Sequence, residues 1–214
     1  RHFADMLECR PEELMPVTGQ KAAMEWLVRS WVNKKVADGC SEKLSTVILS
    51  TTSPLTKSLL ESLADEGRLT IEETEVTIPA QDEHSVLEPF ESTLTPETSL
   101  VILESLPSDI PFAVPFEEAI GLVREVCPQA FVILDATQGF AALPMTLRQH
   151  PADAVIASCG YWFSGPRNSG FLHFPLKKRE KFVDPSAYKG LTGAEGDEDF
   201  QVPGPIDFSS FLAL

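Results

Sequence analysis

The residues able to do chemistry crowd into one stretch, residues 131 to 172, FVILDATQGFAALPMTLRQHPADAVIASCGYWFSGPRNSGFL. Asp135 abruptly ends an all-apolar run, Phe131 to Leu134, and Ser158 closes a second, Asp153 to Ser158. Such runs fit parallel strands covered on both faces. Ligands of open α/β sheets sit beyond the carboxyl ends of the strands, so Asp135 and Ser158 both stand where a site is expected. A strand-end Asp can also cap a turn, and a Gln such as Gln138 can fill a polar hole, with no ligand involved.

The ordered set Asp135, Gln138, Gly139, Pro144, Asp153, Trp162, Gly165, Pro166 and Gly170 resembles the class V aminotransferase family of pyridoxal-phosphate (PLP) enzymes, which includes cysteine desulfurases. The resemblance implies an α/β three-layer sandwich. It would be built on a mostly parallel, mixed sheet of about seven strands, the aspartate aminotransferase-like large domain. That domain would span residues 1–214, without the family's small C-terminal domain. The resemblance also assigns roles. Asp135 would pair with the protonated pyridine nitrogen, Gln138 would lie near the ring oxygen, and Ser158 near the phosphate. Thr18, Gly19 and Gln20 would form the phosphate turn at a helix N-terminus.

One place departs decisively. Twenty-six residues after the Asp, where the family carries its Schiff-base lysine, this chain has Tyr161. A one-residue deletion beside Gly160 and Tyr161 accounts for the text equally well, and either alignment lacks the lysine. PLP chemistry needs a primary amine that condenses with the aldehyde, leaves, and then shuttles a proton. A phenol cannot condense. Lys177, Lys178 and Lys181 lie beyond the next apolar run, on an expected surface helix. Two further family features are replaced: Ser53, Pro54 and Leu55 stand where a ring-stacking histidine is usual, and Ser108 where an asparagine is usual. Lys21 is open to two readings, a phosphate contact or a solvated first-turn lysine.

Composition narrows the partners. The chain has 214 residues, 43% of them hydrophobic and 23% charged, which is ordinary for a globular protein. That length suffices to bury roughly 70% of the extended surface. A formal charge of −15 and a pI near 4.6 disfavour nucleic acid and anionic membranes, both of which need a cationic surface. No apolar run is long enough to span a bilayer. Cys9, Cys40, Cys127 and Cys159 form no CxxC pair, so neither a zinc cluster nor a disulfide framework is expected. A reducing compartment is, whether cytoplasmic or organellar, the mitochondrion included. The four histidines show no ligand spacing and read as surface or capping residues, so no metal is expected.

The remaining chain supplies the elements that must position these residues. The first residues, RHFADMLEC, have helical spacing through Phe3, Met6 and Leu7. Strands are expected at 14–17, 45–50, 70–78, 100–105 and 171–174, and helices at 20–36, 54–66, 114–126 and 175–182, with a short helix and turn over 85–99. The resulting βαβ units make a parallel sheet. Residues 190–205 are Gly- and acid-rich and read as a loop, and FSSFLAL begins a helix. No strand is followed by GxGxxG, which weakens a Rossmann nucleotide module. The expectation is a catalytically degenerate relative of these enzymes with a structural or protein-interaction role and no bound cofactor, or PLP held non-covalently. An active desulfurase-like lyase or aminotransferase whose site is altered by mutation or completed by a partner is the alternative. A homodimer or larger assembly is expected, with contacts near residues 1–20 and 200–214.

Overall fold

The computed structural model describes residues 2–108, 110, 112–148 and 150–183. Helices separate the first five of seven strands, the last three follow one another without a helix between them, and the sheet order is β1-β7-β6-β5-β4-β2-β3. The strands are β1 (Leu14–Val17), β2 (Leu44–Leu49), β3 (Leu69–Thr74), β4 (Thr98–Glu104), β5 (Phe131–Asp135), β6 (Ala154–Ser158) and β7 (Gly170–His173). Pairing is parallel for β2 with β3, β2 with β4 and β4 with β5, and antiparallel for β1 with β7. The mixed, mainly parallel sheet is therefore the one expected. The helices are α1 (His2–Met6), α2 (Gln20–Ala37), α3 (Pro54–Asp65), α4 (His84–Thr93), α5 (Phe116–Val126) and α6 (Leu176–Phe182), with a 3-10 turn at Pro11–Glu13.

By its internal contacts the chain forms two compact units. The first holds residues 1–41, 140–149 and 156–214, and the second holds 42–139 and 150–155. In the second unit, β5 is buried at every position and β4 at all but one. A run with no polar face is what a strand covered on both sides requires. Edge strand β3 is buried only at its ends, Leu69 and Thr74, and stops there, so Val76 and Ile78 fall outside it and Ile78 is exposed. The expected strand through residue 78 is thus shortened.

A buried carboxylate sets where β6 begins. One oxygen of Asp153 accepts the Val132 N–H at 2.8 Å and the Arg124 guanidinium at 2.8 Å. Arg124 also donates to the carbonyls of Ala130 and Pro151. One side chain thereby ties the end of α5 to the entries of β5 and β6. Next to it, His150 is buried, stacks on Phe116 with 6.2 Å between ring centroids, and accepts the Ala152 N–H on Nδ1.

In the first unit, α2 buries Ala23, Met24, Leu27 and Trp31, as its spacing predicts. At the amino terminus, Ala4 and Leu7 are buried while Met6 is exposed, which corrects the expected inward face. Phe3 instead packs edge-on against Phe140, Phe163 and Phe171. On α6, Arg179 is buried rather than part of a cationic face. Its guanidinium donates to the carbonyls of Phe174 and Glu12. His173 is likewise buried, with Nε2 4.0 Å from Glu13. Two of the histidines read as surface or capping residues are therefore interior, though His150 does cap. The expected loop at 190–205 and the FSSFLAL helix lie outside the described residues.

Arg124→Ala should lower stability by about 2–3 kcal/mol. Losing one partner strands a buried carboxylate, and the arginine's partial solvation puts the loss below that of a fully buried pair. Urea unfolding of the variant against the parent protein measures this. An unchanged midpoint would show that Asp153 is held by the Val132 N–H alone.

Candidate functional site

Three strands bring the expected phosphate-side residues of the first unit to one sheet end. Val17, the last residue of β1, pairs with Gly170, the first of β7. A Cβ added at Gly170 would collide with the Ala157 carbonyl oxygen and lie 3.4 Å from the Ser158 Cα. Only glycine permits that approach, which seats the start of β7 against the end of β6. Thr18–Gly19–Gln20 leaves β1 at the same end at which Ser158 leaves β6.

The turn at 18–20 is built to expose backbone donors. Gly19 is the N-cap of the eighteen-residue α2, its side lacks a capping hydrogen bond, and no acidic residue stands in the first turn. Nothing lies within 4 Å of where a Cβ at Gly19 would be. The first amides of a helix and its dipole favour an anion there. Lys21 is exposed at this turn, which fits its solvated reading. Ser158 is half-buried, and its Oγ accepts the Gly160 N–H at 3.2 Å.

In the second unit, Asp135 is the final residue of β5 and is buried. Its Oδ1 accepts the Thr137 N–H at 2.9 Å, so the carboxylate caps its own turn. Gln138 is half-buried in that turn, and Gly139 donates back to the Ala136 carbonyl. Opposite Asp135 in register stands Glu104, the last residue of β4, also buried. Its Oε1 accepts the Ser53 N–H at 2.6 Å, at the N-cap of α3. Sequence reasoning missed Glu104, because a lone acid ending an apolar strand looks like any strand terminus. Its signal is the same as that of Asp135, an abrupt carboxylate after LVIL. Leu55, in the place of the stacking histidine, is 51% exposed, and Ser108 is exposed.

The loop at 159–169 departs furthest from an amine-bearing site. Cys159 donates its N–H to Ser169 and accepts that of Gly165, while Ser164 donates to Tyr161, all through backbone atoms. Tyr161 is 52% exposed and Trp162 61%. No lysine occurs between residues 58 and 176. A loop without an amine, whose residue 161 faces solvent, does not fit covalent attachment of a carbonyl cofactor. Burial pushes the Cys159 thiol up to about 11, and burial with the nearby Glu13 pushes Cys9 up to about 11, which disfavours the thiolate at both. No group of three or more His, Cys, Asp or Glu able to hold a metal occurs among the described residues. No described helix is long and apolar enough to cross a membrane.

No family model matches this chain, and no curated protein matches it in sequence. Solved structures match its fold. A NifS-like protein superposes with TM-score 0.76 at 15% identity, over 99% of this chain and 53% of its own. DndA from Streptomyces lividans gives 0.75 at 18% identity, over 99% and 56%. A C-DES mutant with glycine covalently linked to its PLP cofactor gives 0.74 at 17% identity, over 86% and 46%. The fold is that of the PLP-transferase large domain, and the chain spans about half the length of these structures.

Because residue 161 faces solvent, a lysine introduced by Tyr161→Lys should behave as a surface amine. With PLP and borohydride, peptide mapping should find it labelled no faster than exposed Lys177. Selective, rapid labelling of residue 161 would show that the loop turns this side chain inward.

Proposed function

We propose that this chain is a catalytically degenerate relative of the PLP-dependent cysteine desulfurase-like proteins, serving a structural or protein-interaction role. The observation that carries this reading is Tyr161, a solvent-facing phenol where the related site needs an amine. The other departures point the same way, since Ser53, Pro54 and Leu55 offer no stacking ring and Ser108 stands where an asparagine is usual.

The anion-accepting turn at Thr18, Gly19 and Gln20 supports, at most, a non-covalent hold on a phosphate such as that of PLP. Ser158 stands at the same sheet end as that turn. On this reading Asp135 and Gln138 are inherited structural residues, and a homodimer or larger assembly is the working form. The buried Asp135 at a strand end favours a second reading, an active PLP-dependent lyase or aminotransferase whose amine comes from a partner. A bound cofactor would then supply the electron sink.

Mixing the purified protein with PLP should produce no visible absorption beyond that of the free compound. Borohydride reduction should leave no pyridoxyl group on any peptide from residues 154–174. A stoichiometric adduct on that stretch would overturn the proposal. An adduct only when a second protein is added would establish the partner-completed reading.

A further inference from the structure

Resting on the reading above that this chain works through protein contacts, we propose that the 159–169 loop docks an acidic, apolar-bearing segment of a different protein. Tyr161 and Trp162 receive its apolar side chains, and Arg167 a carboxylate. Tyr161 and Trp162 are the two aromatic side chains among the exposed large hydrophobics of the described residues. They stand on a closed base. Gly165 donates to the Cys159 carbonyl at 2.7 Å, Ser164 to that of Tyr161 at 3.1 Å, and the Ser169 hydroxyl to that of Pro166. Phe163 turns inward against Phe3 and Phe140, with ring centroids 5.7 and 5.5 Å away. A Cβ at Gly160 would lie 3.7 Å from the Cα of Arg167, so the backbone entering Tyr161 runs beside that of Arg167. One fold of the chain thus roots both rings and the guanidinium.

The charge around this root is one-sided. No Asp or Glu occurs in residues 14–24 or 154–179, and the strand register seats the first stretch against the second, since Val17 pairs with Gly170. Lys21, in the first turn of α2, is exposed as Arg167 is, and neither enters an ion pair among the described residues. The helix whose Phe3 packs on Phe163 carries Asp5, and Glu8 just past it faces Arg148 at 3.9 Å. The loop and the turn opposite it therefore offer two cations and no carboxylate of their own.

These features choose the occupant. Tyr, Trp and Arg are the residue types most enriched at energetic hot spots, and rigid rings lose little conformational entropy on docking. A purely apolar segment would match the rings and leave the cations desolvated, and a basic one would be repelled. Carboxylates set between apolar side chains match both. A long polyanion is opposed from a distance, because the second unit carries 18 Asp and Glu against 4 Lys and Arg among its described residues. The fitting segment therefore has few carboxylates, which a polypeptide can supply and the continuous phosphates of a nucleic acid cannot.

Trp162 is the one exposed tryptophan of the three, so its emission reports on this surface directly. The probes are a short synthetic peptide of Leu, Phe, Ser and a pair of Glu residues, its Gln and Lys versions, and a single-stranded oligothymidylate. Titration of the parent chain should find the Glu peptide bound about 10-fold more tightly than the Gln version, with the Lys version weakest. Arg167→Glu, which alters only an exposed charge, should reverse the order of the Glu and Lys peptides. Tyr161→Ala should weaken the Glu peptide by about 10-fold and leave its advantage over the Gln version intact. Leu55→Ala, exposed on the second unit, should change neither. Thermal melts report whether each variant is folded, and should Tyr161→Ala fail to fold, the charge reversal decides. Failure of the Glu peptide to bind, equal affinity for all three peptides, an order unmoved by Arg167→Glu, or tighter binding of the oligothymidylate would each overturn the proposal. Covalent capture of PLP would instead refute the degenerate-enzyme reading while leaving the peptide affinities as measured.

Discussion

The Asp153 carboxylate is the fixed point from which the chemistry-bearing stretch is laid out. By accepting both the Val132 N–H and the Arg124 guanidinium, it sets the residue at which β6 starts relative to β5. β6 is only five residues long, so its start determines which residue emerges at its end. A shift of one would exchange the faces of every side chain and place Cys159 where Ser158 stands. Arg124 brings α5 into the same arrangement, which is why a single carboxylate is used at a position where apolar packing would not define register.

A second constraint acts at the far end of β6. Gly170 lets β7 start in backbone contact with Ala157, and the nine residues between Cys159 and Ser169 must then close over a narrow gap. They do so with backbone hydrogen bonds, two left-handed residues, the Ser169 hydroxyl donating to the Pro166 carbonyl and the packing of Phe163. The side chains of residues 161 and 162 take no part in those closing hydrogen bonds. What remains specified is direction, with Phe163 turned toward Phe3 and Phe140 and its two predecessors facing out.

These two constraints explain what was legible in the sequence. Strands β2, β4, β5 and β6 show as apolar runs because burial on both faces leaves no other composition available. Edge strand β3 was overextended, since alternation continues in the text past Thr74 after pairing has ended. Arg179, His173 and Glu104 read as surface, neutral or unremarkable because their burial depends on partners remote in sequence. Arg179 meets Glu12 across 167 residues and Glu104 meets Ser53 across 51. No local pattern encodes such a partner. The strand-end positions of Asp135 and Ser158 were legible for the converse reason, since the end of an apolar run is itself a local feature. What Asp135 does there was not, because its engagement by Thr137 is a matter of turn geometry.

A solvent-facing phenol at residue 161 is compatible with this architecture. The backbone hydrogen bonds that close the loop use no side chain of residues 161 or 162, so they place no demand on which side chains stand there. Exposing two aromatic rings does have a cost, because apolar surface left in water forgoes about 25 cal/mol per Å². Folding alone gives no reason to keep that cost, since polar residues at both positions would leave the backbone closure intact. Exposure of the pair is therefore a property of the loop's direction and not of its closure.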